Sequence, residues 1–535
     1  MTTATATEQH CDAIIVGAGF AGLYALHRLR KLGMTARVFE AGGGVGGTWY
    51  WNRYPGARCD VESMEYSYQF SDELQQEWRW SERYSPQSEI LAYLNHVADR
   101  FDLRRDIQLD TRVESAHFDE THDRWLVKTS DGASWSARFV VMATGCLSST
   151  NMPQIPGRDS FRGGIYHTGK WPHEGVDFGG KRVAVIGTGS SGIQSIPLIA
   201  AEASHLFVFQ RTPNFSVPAA NRPLDDEEVR RVKSQYGELR RIASQMGFGF
   251  NTRSSEVSAL EVSEEDRLAE YEERWRMGGL PFLAAFNDLI LDQRANDTAA
   301  DFVRAKIRGL VRDPAVAEKL TPRSILGCKR LCADSGYFET FNRPNVTLID
   351  VNESPIEEIT PTGLRAGGKD YDLDAIVFAT GFDAMTGAVL AVDIRGKSGV
   401  SLRKKWEAGP RTYLGVATAG FPNLFMITGP GSPSVLTNMV PSIEQHVNWI
   451  SDCLTYMASQ HGRRIEAQVD AEDAWVSHVN DVASASLYPG CNSWYLGANV
   501  PGKPRVFMPY LGFPEYVVKA DEVARNGYEG FTIEP

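Results

Sequence analysis

Residues 12–22 read Asp12-Ala-Ile-Ile-Val-Gly17-Ala-Gly19-Phe20-Ala-Gly22, a β-branched run that feeds directly into a glycine-spaced turn. The next stretch, Leu23-Tyr-Ala-Leu-His-Arg-Leu-Arg-Lys-Leu-Gly33, is amphipathic at helical spacing and stops at a glycine. A second strand, Thr35–Phe39, ends at Glu40. Strand, glycine turn, helix and strand make a β-α-β unit, and each glycine has a task. Gly17 permits the tight turn, Gly19 lets backbone approach a pyrophosphate, and Gly22 lets helix and strand pack closely. The helix start offers unpaired N–H groups and a positive dipole to the anion. Glu40 stands where an acid accepts hydrogen bonds from the adenosine ribose hydroxyls.

The same grammar returns at Lys181: strand Arg-Val-Ala-Val-Ile, then Gly187-Thr188-Gly189-Ser190-Ser191-Gly192, then a helical stretch from Ile193-Gln194, then a strand ending at Gln210-Arg211-Thr212. Two units predict an α/β protein with two Rossmann-like dinucleotide-binding domains. Their acceptor ends differ. Arg211 and Thr212 occupy the place of the ribose-binding acid, a guanidinium and a hydroxyl suited to a 2′-phosphate, so this site is expected to take NADPH. The alternative is that Arg211 is simply a surface arginine. A second glycine cluster, Gly42-Gly-Gly-Val-Gly-Gly47-Thr48-Trp49, follows Glu40 and makes the first site the better place for FAD. One resident flavin and one diffusible hydride donor is the natural division of labour. Ala143-Thr-Gly145 and Ala379-Thr-Gly-Phe-Asp383 close strands and read as crossings between the two nucleotide domains, or as ordinary strand-end turns.

Around this frame, 535 residues at about 150 per domain predict three to four domains. Charged residues at 23% and hydrophobic residues at 42% are globular values, which exclude a disordered or collagenous chain. A net charge of −12 argues against nucleic-acid or basic membrane-surface binding. The start of the chain lacks a basic region followed by an apolar core, and the longest apolar stretch, Ala13–Leu26, is too short for a bilayer. A soluble cytoplasmic protein, a monomer or weak oligomer, is expected. Seven cysteines without a C-x-x-C pair predict free thiols in a reducing compartment. Eleven histidines without paired ligand spacing predict no metal site, and no G-x-S-x-G elbow is present. The expected division is 1–147 for the first part of the FAD domain and 152–223 for the first part of the NADPH domain. A helical insertion follows over 224–328, then the rest of the NADPH domain over 329–384, then the C-terminal part of the FAD domain over 385–535.

Between the two glycine loops stands Phe161-Arg-Gly-Gly-Ile-Tyr-His167-Thr-Gly-Lys-Trp171-Pro172. It resembles the F-x-G-x-x-x-H-x-x-x-W-P fingerprint of type I Baeyer–Villiger monooxygenases. The stretches Trp49–Asp60, Gly429-Pro-Gly-Ser-Pro-Ser434 and Ser493–Arg505 resemble the phenylacetone and steroid monooxygenase branch. The resemblance implies NADPH reduction of FAD, O2 addition at flavin C4a, and attack of the resulting peroxide on a ketone through a tetrahedral adduct. The product is an ester or lactone, from aryl-alkyl, methyl or bulky cyclic ketones.

By the same resemblance, Arg330 is the active-site arginine and Asp60 its carboxylate neighbour. Flavin contacts fall on Gly17, Gly19, Phe20, Gly22, Glu40, Gly47, Thr48, Trp49, Tyr50, Trp51, Asp60, Tyr66 and Val113. NADPH contacts fall on Arg58, Cys59, Asp60, the loop Gly187 to Gln194, Arg211, Thr212, Lys329, Arg330 and Trp494, the last closing over the cofactor. Ser434, Val435 and Leu436 line the substrate side. Arginine suits the role because it is a permanent cation that cannot protonate the oxidant. The competing reading of Arg330 and Asp60 is a structural ion pair. His167 is read as a structural or hinge residue in a linker. The segment Tyr510–Tyr516 departs from the family pattern and is expected to reshape the substrate entrance. Two rival functions are a sulfide or amine oxygenase and a non-catalytic nucleotide-binding redox sensor.

Overall fold

The computed structural model describes residues 9–252 and 254–535. The first sheet is built on the strand Gln9–Val16, fully buried over its last four residues. It pairs in parallel with Ala36–Phe39 on one side and Ser134–Met142 on the other, in register Ala13↔Ala36 and Ala13↔Phe139. The far edge of Ser134–Met142 forks. Residues 134–137 pair antiparallel with Arg124–Thr129, while residues 140–142 pair in parallel with Leu424–Met426. Sequence from the last quarter of the chain thereby completes the first sheet. The helix Phe20–Lys31 packs beside the helix Met439–Ser459, and the Tyr24 hydroxyl donates to Asn448 Oδ1 at 2.7 Å.

The second sheet is wholly parallel, in the order Val346–Asp350, His205–Gln210, Arg182–Ile186, Ala375–Phe378, Gly164–His167. Its strands are nearly continuous apolar runs because both faces are covered. A three-stranded antiparallel sheet, Ile356–Thr360, Gly363–Ala366 and Lys369–Asp372, buries Ile359, Leu364 and Tyr371 against Ala184, Phe209 and Ile376. Two glycine loops at the C-terminal ends of two parallel sheets are the two-dinucleotide architecture.

Residues 226–320 form helices, including Asp226–Ser234, Glu264–Met277 and Gln293–Leu310. Tyr271 packs ring against ring with Phe282, Phe286 and Phe302, and these rings join the main apolar cluster. Short strands Ser216–Pro218 and Cys332–Asp334 pair where the chain enters and leaves it, which fixes the segment just before Cys332. Among the described residues no helix is long and apolar enough to cross a membrane.

One expectation is corrected. Cys328 and Cys491 are joined by a disulfide, with a Cα–Cα distance of 5.6 Å, while Cys11, Cys59, Cys146, Cys332 and Cys453 remain thiols. The pair lies 163 residues apart in sequence, so spacing could not reveal it. The contact arises only when the C-terminal segment folds back over the end of the helical insertion. The argument from free thiols to a reducing compartment therefore fails.

Glu444, on the helix Met439–Ser459, is 6% exposed. Its Oε1 accepts from the Gln69 and Phe70 amides at 2.8 and 3.0 Å, and Oε2 has no partner among the described residues. Burial pushes its carboxyl up to about 7. The folded state thus holds a proton that the unfolded chain has released, and stability falls as pH rises from about 4.5 through about 7. Glu444→Gln, which mimics the protonated acid, is expected to match the wild type near pH 4.5. At pH 8 it should exceed the wild type by on the order of 3 kcal/mol in urea unfolding. A pH-independent difference would refute this reading.

Candidate active site

A cavity of about 570 Å³ opens at the C-terminal end of the first sheet. Gly17, Gly19, Phe20, Glu40, Gly47, Thr48, Trp49, Trp51, Tyr66 and Val113 line it. Gly17 has φ +106°, and a Cβ there would lie 2.7 Å from the Ala143 carbonyl oxygen. The helix Phe20–Lys31 begins at Gly19 with no side-chain cap, leaving its first amides free for an anion. Glu40 accepts from the Ala18 and Gly42 amides, both at 2.8 Å, so it also pins the two glycine turns together. Burial raises its carboxyl above the ordinary range against these two hydrogen bonds.

Three of the flavin candidates stand apart from the cavity wall. A Cβ at Gly22 would sit 1.8 Å from the Gly17 oxygen, so Gly22 serves helix–strand packing. The Tyr50 ring fills the space beneath Gly42 and Gly44 and packs on His173 at 4.6 Å. Asp60 is committed to Arg330. Sequence reasoning missed Arg112, the stretch 144–150, Met439 and Ile443, all on the cavity wall. The Ala143-Thr-Gly145 turn was the available signal for the second of these.

At the second loop, Gly187 has φ +110°, and a Cβ would lie 2.4 Å from the Ala379 oxygen. The helix Ser190–Glu202 starts at Gly189, again without a side-chain cap. The Thr188 hydroxyl donates to the Thr212 carbonyl at 3.1 Å, drawing the phosphate loop to the strand end that carries Arg211. Lys329 lies close enough to Arg211 that burial and the guanidinium charge together lower its ammonium pKa. Ser191 bonds Thr168 at 3.0 Å and Ser190 faces Cys332 at 3.1 Å. Gln194 donates to the Arg58 carbonyl at 3.1 Å and accepts from the Tyr54 hydroxyl at 2.8 Å, joining this helix to the segment before Asp60. Ile193 is buried in the core. Arg58 itself pairs with Glu82, and burial keeps the Cys59 thiol protonated.

Between the two sites Arg330 meets Asp60. Its Nε donates to Asp60 Oδ2 at 2.8 Å, Nη2 to Oδ1 at 2.9 Å, and Nη1 to the Val435 carbonyl at 3.1 Å. Burial pulls the guanidinium pKa down, but the charge and hydrogen bonds of Asp60 outweigh it, so the cation is held more firmly than in water. The two side chains keep 20% and 27% of their surface, so a ligand can still reach them. Among the described residues, Arg330 is the one charged residue lining a small cleft whose other walls are Phe248, Leu280, Leu283, Gly327, Leu331, Leu436, Tyr488 and Tyr495.

A family profile described as "Pyridine nucleotide-disulphide oxidoreductase" matches residues 14–258. The chain is 44% identical to "Baeyer-Villiger monooxygenase" of Pseudooceanicola batsensis, over 97% of this chain and 95% of the relative. The chain belongs to the Baeyer–Villiger monooxygenases. It is also 44% identical to "Phenazine N-monooxygenase PhzNO1" of Lysobacter antibioticus, over 98% of this chain and 97% of the relative. The solved structure "Oxidized steroid monooxygenase bound to NADP" is 56% identical with a TM-score of 0.94, covering 98% of this chain and 100% of that one.

In this monooxygenase the residues expected on the substrate side divide. Leu436 walls the small cleft and Val435 the large cavity. Ser434 is fully buried, with its hydroxyl 2.9 Å from the Cys146 sulfur. Phe248, Leu280 and Leu283 come from the helical insertion, where only a generic apolar pattern marked them. None of the residues 510–516 lines either cavity, but Leu511 packs against the apolar cluster that holds Val435 and Leu436. Tyr510 stacks on Trp475 at 5.4 Å, and the Tyr516 hydroxyl donates to the Leu414 carbonyl at 2.6 Å.

His167 is 3% exposed, and burial lowers its pKa to about 4, so it is neutral. It accepts from the Gly169 amide at 3.0 Å and faces the Thr380 hydroxyl at 3.3 Å, bonds that suit a structural residue. Among the described residues no cluster of three or more His, Cys, Asp or Glu could hold a metal.

Removing Asp60 strands a half-buried cation. Asp60→Ala is expected to lower unfolding free energy by about 3 kcal/mol, and Asp60→Ala/Arg330→Met to recover most of that loss. Additive losses in the double variant would refute the pairing.

Proposed function

We propose that the chain oxidises apolar ketones to esters or lactones with NADPH and O2, and that Arg330, oriented by Asp60, is its catalytic cation. The observation that carries this reading is the guanidinium at the boundary of the two cavities, gripped on three sides and still partly open.

Both cofactors fit residues that are present. Gly17, Gly19, Glu40, Thr48 and Tyr66 would hold FAD in the larger cavity. The loop Gly187 to Gly192 would hold the NADPH pyrophosphate, with Arg211 and Lys329 at its 2′-phosphate and Trp494 over the nicotinamide. When bound, FAD supplies the redox chemistry, accepting hydride from NADPH and passing electrons to O2. Insertion beside a carbonyl needs a nucleophilic oxygen, and Arg330 has no proton to give up at any physiological pH. The same guanidinium offers positive charge to the oxyanion that grows on the ketone oxygen. Asp60 holds its plane, and the Val435 carbonyl fixes the remaining nitrogen. The walls Phe248, Leu280, Leu283 and Tyr488 exclude water and favour apolar substrates over charged ones.

The relative named for phenazine N-oxygenation favours a second reading, oxygen transfer to a ring nitrogen or a sulfide. Aryl-alkyl ketones, cyclic ketones, sulfides and N-heteroaromatics assayed side by side by product mass separate the two. Ester or lactone as the main product supports the ketone reading; N-oxide or sulfoxide alone overturns it.

Arg330→Ala should still consume NADPH while ester formation falls by about 100-fold or more and hydrogen peroxide takes its place. Undiminished ester would remove Arg330 from the chemistry. Arg211→Ala should raise the KM for NADPH by about 10- to 100-fold and leave that for NADH unchanged, the size expected for a charge-assisted hydrogen bond. An equal effect on both cofactors would overturn the 2′-phosphate assignment.

A further inference from the structure

The Cys328–Cys491 disulfide ties together two segments that serve the site from opposite sides. Cys328 precedes Arg330 by two residues, and Cys491 precedes Trp494 by three. Residues 491–512 contain no strand or α-helix, only the single turn Trp494–Leu496. This strap is anchored at its middle. Asn499 donates to the Phe382 carbonyl at 2.7 Å, and Lys503 Nζ to the Ala384 carbonyl at 2.6 Å. The N-terminal part of the strap, where Trp494 sits, has the disulfide as its covalent tie to the arginine segment. The backbone hydrogen bonds of residues 493–498 stay within the strap, Leu496 and Ala498 to Ser493, Gly497 to Trp494 and Met508 to Tyr495. The disulfide therefore adds a covalent tie across to the arginine segment where only side-chain packing otherwise holds it closed.

We propose that Cys328 and Cys491 form a redox-controlled staple: oxidised, it holds the Trp494 strap closed beside Arg330; reduced, it lets the strap lift. The control of cofactor binding rests on the reading of Trp494 as the residue over the nicotinamide. The natural oxidant is hydrogen peroxide, which forms when reduced flavin meets O2 without productive transfer. Gly327, beside Cys328, lines the small cleft, and Cys328 packs in one cluster with Val435 and Leu436, which wall the two cavities. Cys328 itself lines neither cavity, so peroxide made in the site reaches this sulfur past Gly327. One thiolate attacks a peroxide oxygen, giving a sulfenic acid and, with a proton, water. The second thiol displaces that hydroxyl, forming the S–S bond and a second water. Two thiols and one peroxide thus become one disulfide and two waters. A dithiol reductant reverses the change by thiol–disulfide exchange, taking up the oxidation in its own disulfide. Both cysteines are buried, at 5% and 7% exposure, so a bulky reductant acts only when the strap opens. Wasteful turnover would then close the staple and steady the site against further waste.

The test uses FAD-loaded enzyme, treated either with a slight excess of peroxide or with dithiothreitol and then desalted. Alkylation in denaturant should label five cysteines in the oxidised protein, in line with the five free thiols, and all seven in the reduced one. Trypsin cleavage after the exposed Arg505 should quicken by about 3- to 10-fold on reduction, and the KM for NADPH should rise by a similar factor with kcat changed less than about twofold. Cys328→Ser/Cys491→Ser should behave as the reduced enzyme and ignore both reagents. If that variant does not fold, the chemically reduced wild type carries the comparison. Seven labels without reductant, or identical cleavage in the two states, would overturn the staple. Faster cleavage with an unchanged KM would keep the staple, overturn its control of cofactor binding and remove Trp494 from the nicotinamide.

Discussion

A guanidinium held partly out of water must be paired, and in this protein the pairing of Arg330 recruits three distant stretches of chain. Asp60 comes from the first nucleotide domain, Arg330 from the exit of the helical insertion, and the Val435 carbonyl from the C-terminal segment. A buried cation without these acceptors costs about 3–5 kcal/mol, a large share of a domain's ordinary stability. The charge therefore works as a clasp as well as a chemical group. It is satisfied only when the two nucleotide domains, the insertion and the C-terminal segment are all in place, and that same condition brings the two cavities together.

The nucleotide sites repeat one packing solution. In each, the first glycine of the loop lies against the alanine carbonyl of an Ala-Thr-Gly turn: Gly17 on Ala143, Gly187 on Ala379. In each, the third glycine lies against the first glycine's own carbonyl. A side chain at any of these positions would push the loop off its strand and spoil the line of free helix amides. Beyond this shared frame the sites diverge in charge. The buried acid Glu40 closes one and the cations Arg211 and Lys329 stand at the other, which suits a resident flavin in the first and a phosphorylated nicotinamide cofactor in the second.

The substrate side follows a different logic. On the proposed reading its wall is the small cleft, assembled from the helical insertion, Leu436 and the aromatic pair Tyr488 and Tyr495, while the neighbouring Val435 walls the larger cavity. The insertion packs its aromatic residues into the same apolar cluster as the sheets. The division between cleft and cavity lets one redox apparatus serve substrates of different shape, in keeping with relatives named as a Baeyer–Villiger monooxygenase and as a phenazine N-monooxygenase.

Two glycine loops, their β-α-β settings and the differing strand ends at Glu40 and Arg211 were legible in the sequence, because local steric and hydrogen-bonding rules act over a few residues. The linker around His167 and the arginine at 330 were legible through resemblance. The particular strand by which the C-terminal part reaches the first sheet, Leu424–Met426, was not, nor the stacking of Tyr510 on Trp475, the burial of Ser434, or the Cys328–Cys491 bond. Each of these depends on segments tens to hundreds of residues apart becoming neighbours. Periodicity and spacing encode how a short segment folds; which distant segment it meets is decided by burial across the whole molecule.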